Sequence, residues 1–223
     1  DAALIGFMIY KNGVSIKSSS PVLKRLHIRE NQSTEALHIS ANSNLTINDI
    51  EIKKTNQSGG NGGGIQISNS RLVLNNAVID SNITNNNSGG GIWSFRSFIT
   101  INQSQINDNQ GHYGGAIYSK QDSSFTMNNV SVLRDSSNNS GGGIYFEESL
   151  TPVTISNSIF DDNRSRNYGS GIKSDRSSIV IDNSTFQNNR GYDGNGGTAI
   201  NFVGTSNKRD SLIVTNSKFY KNI

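Results

Sequence analysis

The chain of 223 residues is 32% hydrophobic and contains no cysteine, so disulfides, thiol chemistry and cysteine-ligated zinc are excluded. Its 20 basic and 17 acidic residues give a formal net charge of +3 without long charged runs, a pattern that does not favour nucleic-acid binding. No apolar run approaches the ~18 residues of a membrane-spanning helix, and we predict no membrane span in this segment.

A repeat of about 27 residues begins near the N-terminus in an irregular form. The early pattern, an apolar residue followed three positions later by Asn or Thr, occurs at Ile9/Asn12, Ile28/Asn31 and Ile52/Thr55. We therefore predict irregular early coils over residues 1–60 and regular coils over residues 61–223. The chain 1–223 is then one repeat segment of a larger protein.

From residue 61 onward the repeat has three landmarks in a fixed order. The first is Gly-Gly-x-Ile or a variant of it, with its last residue at Ile65, Ile92, Ile117, Ile144, Ile172 and Ile200. The second, apolar-x-(Asn/Gln), ends at Asn76, Gln103, Asn129, Asn157, Asn183 and Asn216. The third, apolar-x-x-Asn, ends at Asn82, Asn109, Asn163, Asn189 and Asn222, with Asp135 in place of Asn after Val132.

Apolar residues within each period alternate with polar ones, as in Leu72-x-Leu74 and Ile179-x-Ile181, and this period of two indicates strands. Three short strands and their turns fit one coil of a parallel β-helix, which needs few inward side chains per coil. Crossovers between parallel strands are strongly biased to the right hand. We predict an all-β, right-handed, single-stranded parallel β-helix of about eight coils.

The repeated polar residues have structural explanations in turn chemistry. We expect the column from Asp49 and Asn76 to Asn216, which includes Asn183, to stack its side-chain amides from coil to coil, with Asn102 outside this ladder. The Asn82 to Asn222 column is expected to do the same at a second corner. Glycine before each conserved Ile permits a tight bend or a positive φ at the third corner.

The combination of Gly-Gly-Ala-Ile at Gly114–Ile117 with Phe-x-x-Asn at Phe160–Asn163, Phe186–Asn189 and Phe219–Asn222 resembles a known family. These motifs are similar to the repeats of chlamydial polymorphic outer membrane proteins and of surface proteins of some protists. The resemblance covers residues 62–223 and implies a cell-surface or secreted adhesin, in bacteria an autotransporter passenger. Ten Asn-x-Ser/Thr sequons are also compatible with a glycoprotein ectodomain.

Aromatic residues follow the conserved Ile in three consecutive coils, at Trp93, Tyr118 and Tyr145. If each Ile points inward, these side chains point outward in one exposed column. Exposed aromatics offer apolar faces with polar edges and suit sugar rings or a protein partner. The alternative is that they pack on one another and protect the sheet.

The loops that precede the Gly-rich strands carry a second set of basic and aromatic residues. They are His112, Tyr113, Arg164, Arg166, Tyr168, Arg190 and Tyr192. Stacked on one edge they would form a ridge that meets an acidic glycan or a carboxylate. The alternative is solvated loop decoration.

Catalysis requires convergent titratable groups, and we identify none in register with a histidine. Asp80 and Asp108 are expected to meet on adjacent coils, whereas Asp161 and Asp162 are interpreted as turn residues. We predict a non-catalytic display and adhesion segment at the cell surface or outside the cell, with no cofactor and no metal. Its predicted partners are a glycan or protein receptor and other domains of the same chain. The alternatives are a polysaccharide lyase or hydrolase and a purely structural rod.

Overall fold

A computed structural model of the chain describes residues 3–6, 8–32, 34–192, 199–205 and 210–223. Within these ranges every regular element is a β-strand, and all strand pairs are parallel. The strands form a right-handed parallel β-helix of about seven turns, which confirms the predicted fold class. Three sheets run along its length.

Sheet 1 contains the six strands that begin at the repeated Ile and two earlier strands that begin at Val14 and Leu37. Its eight described strands are Val14–Lys17, Leu37–Ser40, Ile65–Ser68, Ile92–Phe95, Ile117–Lys120, Ile144–Glu147, Ile172–Asp175 and Ile200–Val203. Sheet 3 is narrower. Its six described strands have two residues each: Asn56–Gln57, Ile83–Thr84, Gln110–Gly111, Ser136–Ser137, Arg164–Ser165 and Arg190–Gly191.

Sheet 2 has two faces that meet at a corner, and sixteen of its strands are described. Val22–Arg29 and Asn44–Lys53 run through the corner and belong to both faces. The first face continues with Ala3–Ile5, Arg71–Asn75, Phe98–Asn102, Ser124–Asn128, Val153–Ser156, Ile179–Asp182 and Leu212–Thr215. The second continues with Met8–Tyr10, Val78–Asp80, Gln105–Asn107, Ser131–Leu133, Ile159–Asp161, Thr185–Gln187 and Lys218–Tyr220.

Alternate residues of each strand fill a thin apolar core, as the period of two predicts. Ile65 and Ile67 of sheet 1 are fully buried, as are Leu72 and Leu74 of sheet 2. Phe160, Phe186 and Phe219 stack face to face with ring centroids 4.6 and 4.9 Å apart. At the last described coil Phe219 is 45% exposed, so a core position faces solvent there.

The corner of sheet 2 requires a left-handed backbone at one residue per coil. Asp49, Asn76, Asn157 and Asn183 all have φ between 45° and 61°, a conformation that Asn and Asp tolerate best among residues with side chains. The prediction of turn residues in this column is confirmed. The glycine three residues before Ile65, Ile92, Ile117, Ile144 and Ile172 likewise has positive φ, for example +60° at Gly114.

The amide ladder of the corner column is less regular than predicted. Asn183 donates to Asn157 at 2.7 Å, but Asn157 donates instead to Asn128, at the same distance. Asn102, expected to lie outside a ladder, donates to Asn75 at 2.9 Å within a neighbouring one. Asn102 thus lies outside the corner column, as expected, but a second ladder exists there because the residue before the corner also points outward and stacks along the axis.

The second predicted ladder is regular and lies inside the coil. Asn163 is fully buried, and its amide donates to Asn189 Oδ1 at 3.0 Å and to the Val132 carbonyl at 2.9 Å. Asn82 and Asn189 repeat this pattern of one amide and one carbonyl acceptor, and Asn109 does so with the Asp135 carboxyl group in place of the amide. The ladder therefore satisfies buried backbone carbonyls at the corner between sheets 2 and 3.

Candidate binding surfaces

Trp93, Tyr118 and Tyr145 occupy paired positions on consecutive strands of sheet 1, so the predicted column is confirmed. Its predicted exposure is wrong for Tyr118, which is only 8% exposed. The ring of Tyr113, from the preceding loop, lies 6.3 Å from the Tyr118 ring and 5.5 Å from the Tyr145 ring. Tyr118 and Tyr145 themselves make an edge-to-face pair at 5.4 Å. The centre of the column is therefore covered by its own neighbours.

Trp93 belongs to a different aromatic group from the two tyrosines. Its ring stacks on Phe95 with centroids 5.9 Å apart. The Arg96 guanidinium lies over the Phe95 ring, 4.7 Å from its centroid. Trp93 and Phe95 are half-buried, so this stack keeps partial access to solvent.

A charged cluster that sequence reasoning missed lies beside the tyrosines on sheet 1. Glu147 accepts a hydrogen bond from the Tyr118 hydroxyl and forms ion pairs with Lys120 at 2.9 Å and Arg176 at 3.4 Å. Asp175 occupies the paired position on the next strand. Burial and the Glu147 carboxylate raise the pKa of Tyr118 above its ordinary value, so its hydroxyl remains a donor. The sequence signal for this cluster is the pair of opposite charges at Lys120 and Glu147. Each of them comes two residues after a tyrosine of the aromatic column.

Sheet 3 carries a groove of about 700 Å³. It is lined by His112, Arg164, Arg166 and Tyr192 of the predicted ridge, together with Asn86, Ser136, Ser137 and Asn138. The strand register explains its shape, because the coil with short Ser136 lies between those of Gln110 and Arg164. Longer side chains above and below the Ser136 coil form the walls. This outcome agrees with the predicted ridge for four of its residues.

The other ridge residues lie next to the groove or away from it. Arg190 pairs in register with Arg164 on the next strand. Tyr113 packs in the aromatic column instead. Tyr168 lies beside Lys173, whose ammonium is 5.7 Å from the ring centroid. Burial lowers the pKa of the Lys173 amine.

One wall of the groove is basic, and a carboxylate lies next to one of its arginines. Asp162 pairs with the Arg164 guanidinium at 3.2 Å and orients it, while nearly half of the Arg164 side chain remains exposed. Tyr192 is 64% exposed, and Arg166 and Arg190 are also exposed. Guanidinium groups, amides and a phenol ring together suit an anionic or hydroxyl-rich ligand.

The acidic residues proposed for catalysis are not brought together. Asp80 pairs in register with Asn107, not Asp108, so the predicted meeting of Asp80 and Asp108 is wrong. Asp108 has a φ of 56° and forms a bidentate pair with Arg134 at 2.6 and 2.9 Å. Asp161 accepts hydrogen bonds from two amide side chains of the next coil. Asp108 and Asp161 therefore hold neighbouring coils together, which is a structural role.

Two carboxyl groups lie inside the coil. Asp135 replaces Asn in the buried ladder, and its Oδ1 accepts from Asn109 while Oδ2 has no partner. Burial raises the pKa of Asp135 well above its ordinary value. Asp122 accepts hydrogen bonds from Ser94, Ser119 and the Ser97 amide, and burial raises its pKa to about 6.

Neither a metal centre nor a histidine pair is present in the described ranges. His27 and His38 contact the carboxylates of Glu51 and Glu35, at 3.0 and 2.6 Å. Among the described residues no group of three or more His, Cys, Asp or Glu side chains is placed to hold a metal ion. Nor is any described helix long and apolar enough to cross a membrane.

Comparison with known proteins supports the architecture. The model of the family described as right-handed β-helix region matches residues 35–222, most of the chain. Comparisons with curated proteins and with solved structures give no match. The match spans regular and irregular coils alike and agrees with the parallel strand register. This chain belongs to the right-handed β-helix family.

Proposed function

We propose that this β-helix is a non-catalytic display and adhesion segment that binds a glycan or protein partner in the groove of sheet 3. The observation that carries the proposal is the 700 Å³ groove. Its lining combines the short polar residues Ser136, Ser137 and Asn138 with Arg164, Arg166 and Tyr192. The volume is within the usual range of ligand sites, ~300–1,000 Å³. The predicted aromatic column is a weaker candidate because Tyr113 covers Tyr118.

The resemblance of the Gly-Gly-Ala-Ile and Phe-x-x-Asn motifs to chlamydial polymorphic outer membrane proteins and protist surface proteins supports this proposal. In that setting the segment lies outside the cell, and other domains of the same chain anchor it. A rod built from identical steps holds the groove at a fixed distance from such an anchor. The sheet 3 groove then faces a partner on another surface.

The proposal is tested by binding to a panel of acidic and neutral glycans and to cell surfaces. We expect Arg164→Gln/Arg190→Gln and, separately, Tyr192→Ala to reduce binding at least tenfold, since central contacts commonly contribute about 2 kcal/mol. The matched control is Lys17→Ala/Lys24→Ala, which removes the same charge from exposed residues elsewhere. Equal losses in the control would indicate a general charge effect and contradict a site in the groove.

One observation favours the second candidate, a polysaccharide-processing enzyme. Glu147 and Asp175 are carboxylates on adjacent coils, with Tyr118, Lys120 and Arg176 beside Glu147. Carboxylates next to basic groups are the minimum that such chemistry requires. Both are engaged in ion pairs, Glu147 with Lys120 and Asp175 with Arg176, and we therefore keep the non-catalytic function first.

A further inference from the structure

A second groove, of about 380 Å³, lies where sheet 1 turns into the first face of sheet 2. Its walls include Asn42, Asn44, Asn69, Arg71, Arg96 and Phe98, and its lining contains no carboxylate. It belongs to neither the sheet 3 groove nor the aromatic column. It is therefore a separate basic site on another side of the coil.

The strand register explains why two arginines meet there. Asn44, Arg71 and Phe98 occupy one outward column of sheet 2 on three consecutive coils. Asn42, Asn69 and Arg96 form the neighbouring corner column, in which each residue has a φ between 46° and 60°. Backbone hydrogen bonds from Asn42 to Asn69 and from Asn69 to Phe95 fix the corners from coil to coil. Arg71 and Arg96 thus flank one groove from adjacent coils.

Both guanidinium groups are positioned by aromatic rings. Arg71 lies over Phe98, with its guanidinium carbon 5.1 Å from the ring centroid, and Arg96 lies over Phe95 at 4.7 Å. Arg96 Nε donates to Gln121 Oε1 at 3.1 Å. No ion pair joins either arginine to a carboxylate in the described part of the chain, in contrast to Arg134 with Asp108 and Arg164 with Asp162. The two positive charges are oriented but not neutralised.

We infer that this groove binds the oxyanion groups, sulfate esters or carboxylates, of an anionic saccharide. A guanidinium donates two parallel hydrogen bonds to such a group, and stacking on a ring reduces the ordering cost. The amides of Asn42, Asn44 and Asn69 supply donors and acceptors for sugar hydroxyls. Phe98 is 42% exposed and offers an apolar surface to a sugar ring. The inference does not depend on the sheet 3 groove.

The structure also supplies an internal reporter. Trp93 is the single tryptophan and stacks on Phe95, whose ring carries Arg96. A ligand that draws the Arg96 guanidinium toward an oxyanion changes the environment of this stack. Binding in the groove should therefore change Trp93 fluorescence, whereas binding on sheet 3 should not.

The test titrates the whole chain with four probes. These are a sulfated tetrasaccharide, a galacturonic acid tetrasaccharide, a neutral glucose tetrasaccharide and inorganic sulfate. We expect at least one anionic tetrasaccharide to bind tenfold or more tightly than the neutral one, to change Trp93 emission and to weaken with added salt. Arg71→Gln/Arg96→Gln should weaken binding of this tetrasaccharide at least tenfold and abolish the fluorescence change.

The matched control is Lys17→Gln/Lys24→Gln, which removes the same charge from exposed residues outside both grooves and should leave both signals unchanged. The sheet 3 variant, Arg164→Gln/Arg190→Gln, should leave the Trp93 fluorescence change intact. Arg71→Lys/Arg96→Lys retains the charge without the planar fork and should lose part of the affinity, with the same circular dichroism spectrum as the parent. Unchanged affinity in Arg71→Gln/Arg96→Gln overturns the inference. If the sheet 3 variant alone loses affinity, the proposed function stands and this site does not. Inorganic sulfate that binds as tightly as the saccharide overturns the saccharide assignment.

Discussion

Asn163 and its equivalents join neighbouring coils from inside the molecule, where an unpaired polar group is most costly. The amides of Asn82, Asn109, Asn163 and Asn189 each have two acceptors, and all four residues lie close to zero exposure. The amides of the outer columns, such as Asn183, make similar contacts in solvent, where water replaces them readily. Burial therefore decides which asparagine stabilises the fold.

Asn163→Ala should destabilise the protein by about 1–3 kcal/mol, because it leaves the Val132 carbonyl without its side-chain donor and the Asp135 backbone N–H without its acceptor. The matched control is Asn85→Ala, an exposed residue in an outer ladder, which should change stability by no more than about 0.5 kcal/mol. Urea unfolding followed by circular dichroism measures both. Equal shifts in the two midpoints would contradict the assignment of the inner ladder.

Asp135→Asn should stabilise the protein, and the gain should grow with pH. Burial raises the pKa of Asp135 in the folded state, so the folded state binds more protons than the unfolded state above pH ~4. The parent's unfolding free energy therefore falls as pH rises from ~4 toward the folded pKa of Asp135. The amide that Asp135→Asn introduces is uncharged at every pH, so the variant avoids this loss of stability. It also adds the side-chain donor that the asparagines of the other coils supply to the ladder.

The measurement is the unfolding free energy of parent and Asp135→Asn at pH 4 and pH 8. Asp108→Asn is the control for a surface carboxylate, since Asp108 is paired with Arg134 and exposed. We expect a larger Asp135→Asn gain at pH 8 than at pH 4. A gain that is equal at both pH values would show that folding does not raise the pKa of Asp135.

At the scale of single elements, the turn before each sheet 1 strand depends on glycine. Gly114 has a φ of +60°, and a Cβ there would lie 2.1 Å from the Ile117 carbonyl oxygen. Gly114→Ala should therefore destabilise by at least ~2 kcal/mol, the sum of left-handed strain and the steric overlap. Gly59→Ala is the control, because no atom lies within 4 Å of its Cβ position and its φ is not positive. Similar thermal midpoints for both variants would contradict the proposed requirement.

The strands and their register were predictable because each inward position repeats in every coil. Ile92, Ile117 and Ile144 pair as the spacing indicates, and Trp93, Tyr118 and Tyr145 follow them. Asp80 and Asp108 were misplaced because Asp80 pairs with Asn107, and Asp108 lies one residue further on, in a left-handed turn where it pairs with Arg134.

The exposure of site residues was less predictable than their register. Tyr118 is buried by Tyr113, which enters from a loop whose path the repeat does not specify. The groove between Arg71 and Arg96 depends on a corner column and a strand column that come together only in three dimensions. A site of this kind can be predicted only when the outward residues of a corner column and of the adjacent strand column are considered together.

The whole molecule is a stack of similar coils, which differ from one another mainly in their outward-facing residues. Sheet 3 changes from neutral at Asn56 and Gln110 to basic at Arg164 and Arg190 along one column. The arginine groove lies on another side of the rod, at the corner of sheets 1 and 2. Two separate basic sites on one rigid rod would allow an extended or multivalent partner to bind more tightly than either site alone.

Catalysis, by contrast, requires reacting groups that converge on one bound substrate. The charged cluster of sheet 1 is the best candidate, but Lys120 and Arg176 already pair with Glu147. Neither Glu147 nor Asp175 lines a described groove. We therefore expect the chain to release no new reducing ends and no unsaturated products from acidic or neutral polysaccharides.

The screen for cleavage products uses the parent chain and Glu147→Gln, Asp175→Asn and Asp161→Asn variants. Asp161 serves as the control carboxylate because it accepts amide hydrogen bonds on sheet 2, away from the cluster. Activity in the parent that disappears in Glu147→Gln or Asp175→Asn, but persists in Asp161→Asn, would place an active site on sheet 1. Absence of products from every polysaccharide, with binding retained, is the result that the ion-paired state of Glu147 predicts.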